Sequence, residues 1–185
     1  MNYIWVAGCN RYETIGVINL LKSTGIIVRA FRSGHRLCAG DTLVICFSSI
    51  ALLGAWRYLK IIHWVSCRYD IRLVVLCPDE VSQAAILLCG TNIEVVNAAH
   101  GNFRLSFLLQ QAVQYCQPEA IKNTQVYMWS SFSEKALQIL YISPASKSDR
   151  STAQAVYRQR SRMIQRLGFS RLITLQIIMA GFARK

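Results

Sequence analysis

Near the end of the chain, side chains able to read bases recur at helical spacing. Gln154, Tyr157, Arg158, Ser161, Arg162 and Gln165 alternate with an apolar series, Val156, Met163, Ile164 and Leu167, that repeats at the helical period. A guanidinium can pair bidentately with guanine and a carboxamide with adenine. The pattern therefore predicts a helix held along one edge by a small domain, with Gln154, Tyr157, Arg158 and Arg162 as base or groove contacts. Thr152 is placed as its N-cap, Ser161 beside the contacting face, and Gly168 as its stop. Lys147, Arg160, Arg166 and Arg171 flank the stretch and are assigned to phosphates, which supply affinity and salt dependence but no sequence information. Read without function, the same stretch is a solvated basic helix packed on a core, and Tyr157 is a packing residue.

Charge is concentrated around that stretch. Residues 1–130 hold 11 Lys/Arg against 7 Asp/Glu, and residues 131–185 hold 10 against 2, within a total of +12. Two thirds of the excess thus lies in under a third of the chain, as expected where one small module faces a polyanion. Chemistry of other kinds has little support. Seven cysteines without a CxxC pair suggest neither a disulfide framework nor a zinc site. A nucleophilic pair of Cys9 or Cys77 with His100 lacks a third, orienting group, and the glycines form no phosphate-binding pattern. No enzymatic activity, metal or cofactor is expected. The most apolar region, Ile45 to Val65, is interrupted by Arg57, Lys60 and His63, so no membrane span is expected. The first residues lack the cationic lead of a secretory signal, and a cytoplasmic, nucleoid-associated location is expected.

A hydrophobic content of 53% over 185 residues is enough for a substantial core to position such a helix. Short β-branched runs at Tyr3–Ala7, Ile26–Phe31, Thr42–Phe47, Ile71–Leu76 and Ile93–Val96 alternate with helical patterns near Tyr12–Ser23, Ile50–Ser66, Glu80–Leu88 and Phe103–Tyr115. Near-continuous apolar strands between amphipathic helices predict an α/β flavodoxin-like domain over residues 1–116, a parallel sheet in the order 2-1-3-4-5 covered on both faces. Residues 117–130 carry Pro118, lose apolar periodicity and read as a linker. Residues 131–185 read as a small all-α domain: a helix capped by Ser133, the polar loop Ser143–Ser151, the basic helix, and a closing helix at Leu172–Phe182.

Residues 1–116 resemble the receiver domain of bacterial response regulators. That family carries acids after strand one, a phosphorylatable Asp at the end of strand three, Thr or Ser after strand four and Lys after strand five. Here the corresponding stretches are Gly8, Cys9 and Asn10; Cys46, Phe47 and Ser48; Leu76, Cys77 and Pro78; and Asn97 to His100. The resemblance therefore implies a pseudo-receiver used for packing or dimerisation. Residues 131–182 resemble the LuxR/FixJ-type helix-turn-helix: Phe132 to Leu140 stands for its first helix, Thr152 and Val156 for the cap and core of its recognition helix, and Met163 to Gly168 for the end of that helix.

The order of the two parts matches RcsA-like auxiliary regulators. This resemblance implies a transcriptional regulator that binds double-stranded DNA as a homodimer or as a heterodimer with an RcsB-like regulator. One departure stands out: only eleven residues separate Leu140 from Thr152, so the scaffold helix before the recognition helix is shortened or missing. It favours a second expectation, an interaction protein that modulates another transcription factor without reading bases. A third is a small ligand bound at the open end of the sheet.

Overall fold

Runs of apolar residues with no polar alternation can be buried only between two covering layers. Thr42–Cys46 and Arg72–Cys77 are such runs. In the computed structural model, which describes residues 3–89, 93–114 and 171–178 together with 154, 155, 157, 158, 161, 162, 164 and 165, they form two of the three interior strands of a five-stranded sheet. The elements are β1 (Ile4–Gly8), α1 (Arg11–Ser23), β2 (Val28–Ala30), β3 (Thr42–Cys46), α2 (Trp56–Arg68), β4 (Arg72–Cys77), α3 (Asp79–Cys89), β5 (Ile93–Asn97), α4 (Asn102–Gln114) and α5 (Leu172–Ile178). The five strands are all parallel in the order β2-β1-β3-β4-β5, the flavodoxin-like arrangement. The strands lie within two residues of the bounds read from the sequence.

Because successive side chains point to opposite faces, each central strand feeds two cores. Leu43, Ile45, Leu73, Val75 and Cys77 pack with Leu59, Ile62 and Val65 of α2 and Val81 and Ala85 of α3. Val44, Cys46, Val74 and Leu76 pack on the other face with Val17 and Leu21 of α1 and Leu105, Leu109, Ala112 and Val113 of α4. Each fully buried aliphatic side chain contributes roughly 1.5–3 kcal/mol, so the two layers are the main source of stability.

Residues 31–41 carry the chain from β2, on one side of β1, to β3, on the other, without a helix. An aromatic cluster fills that place: the Trp5 ring lies 4.8 Å from His35 and 6.1 Å from Phe31. Asp41 ties the same edge together. Its carboxylate accepts from Tyr3 N (2.8 Å), Cys38 N (3.0 Å) and Trp5 Nε1 (3.1 Å). Burial alone would raise this carboxyl, but the hydrogen bonds outweigh burial and hold it below its ordinary value.

Helix ends follow local chemistry. Asn10 Oδ1 accepts from Tyr12 N (2.9 Å) at the start of α1, and Gly25, at φ 81°, donates to Lys22 O (3.0 Å) at its end. The second helix was expected from Ile50 but begins at Trp56. Gly54 takes φ 75°, in the left-handed region, and directs the apolar run 50–55 into turns before the helix starts. Its amide donates to Ile177 O of α5 (3.0 Å), which brings the C-terminal helix against the start of α2. The expected linker 117–130 and the helix and loop expected over 131–151 lie outside the described residues.

Candidate nucleic-acid interface

In a doubly wound sheet the groups that can act chemically collect at the carboxyl ends of the strands, above all where the strand order reverses, here between β1 and β3. In this chain that crevice is closed by its own residues. Glu13, in the first turn of α1, reaches the loop after β3: Oε1 accepts from Ser48 N (2.8 Å) and from the Ser48 hydroxyl, while Oε2 accepts from the Ser49 hydroxyl (2.6 Å) and Ser49 N (3.4 Å). Beneath this latch the backbone is tightly apposed. A Cβ on Gly8 would fall 2.8 Å from Thr14 Oγ1 and 2.9 Å from Cys46 Cβ, so no side chain fits at the end of β1.

The residues at the end of β3 are chemically quiet. Cys46 is buried, and burial together with the charge of Glu13 pushes its thiol far up; Phe47 is buried too. Burial and the charge of Asp79 push the Cys77 thiol up to about 12, so it is not a thiolate near neutrality. Cys9 is exposed at the end of β1. The cysteine–histidine contact seen among the described residues is instead Cys67 with His63, one turn apart on α2, at 3.8 Å. Beyond β5, Asn97 Nδ2 donates to Asp79 Oδ1 (3.0 Å) and Asn97 Oδ1 accepts from Ala99 N (2.8 Å). A small apolar cleft, with room for little more than a water molecule, lies between α2 and α3 and is lined by residues including Phe47, Tyr58, Cys77 and Pro78. No group of three or more His, Cys, Asp or Glu residues able to hold a metal occurs among the described residues.

The basic stretch has the opposite character. Gln154, Tyr157, Arg158, Ser161, Arg162, Ile164 and Gln165 are helical. Gln154, Arg158, Arg162 and Gln165 are exposed, and so is Tyr157, at 71%. Ser161 is half-buried. Ile164 is half-buried as well, and it packs on the core shared by α2 and α3. The apolar edge read from the sequence is thus seated, through Ile164, on the α/β unit itself, and the hydrogen-bonding groups remain outside. Arg171 is exposed just before α5. Lys147, Thr152, Arg160 and Arg166 lie outside the described residues, as do Val156, Met163, Leu167 and Gly168.

Two structural features are not evident in the local sequence pattern. Glu13 could have been found as an acid in the first turn after strand one facing the serine pair that ends strand three. The attachment of Ile164 to the α/β core left no local signal. No helix among the described residues is long and apolar enough to cross a membrane. No protein-family model matches the chain, and no curated protein matches its sequence.

Proposed function

We propose that the chain is a DNA-binding transcriptional regulator that works without receiver phosphorylation, alone as a homodimer or with an RcsB-like regulator. The observation that carries this reading is the division of the 154–165 stretch. Ile164 packs on the α/β core, while Gln154, Tyr157, Arg158, Arg162 and Gln165, helical like it, stand in solvent. Arg and Gln so placed can meet guanine and adenine edges in a major groove, with Lys147, Arg160, Arg166 and Arg171 on phosphates and Thr152 and Ser161 beside them. The α/β unit serves as a rigid mount. Its switch point holds Glu13 bound to two serines, and no acid stands at the end of β3 to accept a phosphoryl group.

The alternative, an interaction protein that modulates another transcription factor, draws support from the short Leu140–Thr152 connection. Genomic DNA capture separates the two. Wild-type protein is compared with an Arg158→Ala/Arg162→Ala double variant, each also in cells lacking RcsB-like regulators. Direct reading gives discrete peaks that survive the deletion and fall about a hundredfold or more in affinity in the variant. Peaks lost with the deletion place recognition in the partner, and absence of peaks in every strain overturns the regulator reading.

A further inference from the structure

The outward face of α2 carries a further concentration of cations on the described surface. Leu59, Ile62 and Val65 turn inward, which leaves Arg57, Lys60, Ile61, Trp64, Cys67 and Arg68 exposed on the opposite side, and α2 contains no Asp or Glu. Aromatic rings lie against these cations. Lys60 Nζ lies 4.6 Å from the centre of the Trp56 ring, Arg57 lies 5.8 Å from the same ring, and Arg68 lies 5.7 Å from that of Trp64, itself edge-on to Tyr69 at 5.9 Å. Such a face complements a polyanion. A second copy of this chain, at +12, would bring like charges together there.

Position argues for DNA as the polyanion. Ile164, on the base-reading stretch, packs on the core that α2 shares with α3, and Ile177 of α5 accepts from Gly54 at the turn into α2. Both C-terminal helical segments therefore sit on the α2 side of the sheet. Arg57 and Arg68 are separated along the helix by about 16 Å at a rise of about 1.5 Å per residue. That spacing is enough to bridge the two backbones that flank a major groove about 12 Å wide.

We infer that the outward face of α2 is a second, base-independent contact with the phosphate backbone of the duplex, made by Arg57 and Arg68 with Trp64 between them. The inference rests on the DNA-binding reading above and adds a surface that the reading does not require. It predicts that α2 shapes affinity and salt dependence while the 154–165 stretch shapes sequence preference.

The test measures binding of the full chain to a fluorescein-labelled random-sequence duplex by anisotropy across a salt series. Each phosphate contact contributes about 0.9 to the slope of log K against log salt, so Arg57→Ala/Arg68→Ala lowers the slope by about 1.8. A charge-matched control on the other face of the sheet, Arg11→Ala/Arg104→Ala, leaves it unchanged. Arg57→Lys/Arg68→Lys, which keeps both charges, retains the slope and shows that α2 still folds. Equal loss in the α2 variant and the control, or no loss in either, overturns the inference while leaving the DNA-binding reading in place. An unchanged DNA slope combined with cosedimentation on anionic phosphatidylglycerol vesicles that the α2 variant loses assigns the face to a membrane surface and overturns it too. Failure of the wild type to bind the duplex at any salt removes both.

Discussion

Glu13 and Arg158 are both charged side chains on helices, yet the fold treats them in opposite ways. Glu13 is consumed internally, with both carboxylate oxygens accepting from Ser48 and Ser49 at the place where a doubly wound sheet usually receives its ligand. Arg158 stands in solvent beside Tyr157 and Arg162, on a stretch whose Ile164 is held by the core. A polar group satisfied within the chain contributes to stability, whereas an exposed cation contributes little to stability and remains able to meet a partner. The contrast teaches that the α/β part has turned its crevice into structure, while the cations of the 154–165 stretch stay on the outside. It also predicts that stability and DNA affinity respond to separate sets of substitutions.

The largest expected effect on stability comes from the other internal carboxylate. Asp41→Ala leaves three donors, Tyr3 N, Cys38 N and Trp5 Nε1, without their acceptor at a buried site and should cost about 3–5 kcal/mol in urea unfolding. Because the Asp41 carboxyl is held below its ordinary value of 3.8, its contribution is complete above that value and is lost as pH falls through the lower, folded value. Acid titration of stability should show this decline in the wild type and not in Asp41→Asn. A flat acid profile in the wild type would contradict the network.

Next in size is the closure of the switch point. Gly8→Ala forces a Cβ against Thr14 and Cys46 and should destabilise by about 1–3 kcal/mol, measured by the same unfolding experiment. A neutral outcome would mean that the end of β1 is open enough to hold an acid. A smaller effect is expected at the latch. Glu13→Ala should cost about 1 kcal/mol and increase amide exchange at Ser48 and Ser49, since the loop loses its acceptor but keeps its place on the sheet. Arg158→Ala/Arg162→Ala, by contrast, should leave the urea midpoint unchanged while affecting DNA binding. A midpoint shift as large as that of Gly8→Ala would erase the distinction between the two regions.

Much of the α/β unit is legible from periodicity. The near-continuous apolar runs of β3 and β4 mark strands buried on both faces, and the helical patterns near Tyr12–Ser23 and Phe103–Tyr115 mark two of the helices that cover the sheet. The start of α2 was misplaced by six residues because apolar spacing through 50–55 mimics a helix, and only the left-handed backbone at Gly54 interrupts it. The latch was invisible for another reason. Glu13 and Ser48 are 35 residues apart, and nothing in either segment specifies the other. Exposure of Gln154, Arg158 and Arg162 did follow from their spacing against Ile164, because which face of a helix is apolar is a local property.

The amino-acid order dictated which segments become strands and helices and which side of each is apolar, since burial must match periods of 2 and 3.6 residues whatever the surroundings. It left open what each apolar or polar side would meet. That Glu13 meets Ser48 and Ser49, that Asp41 gathers donors from β1 and the preceding loop, and that Ile164 rests on the α2–α3 layer were settled by the parallel register and the paths of the connections. Those features bring together atoms far apart along the chain, and local pattern carries no information about them.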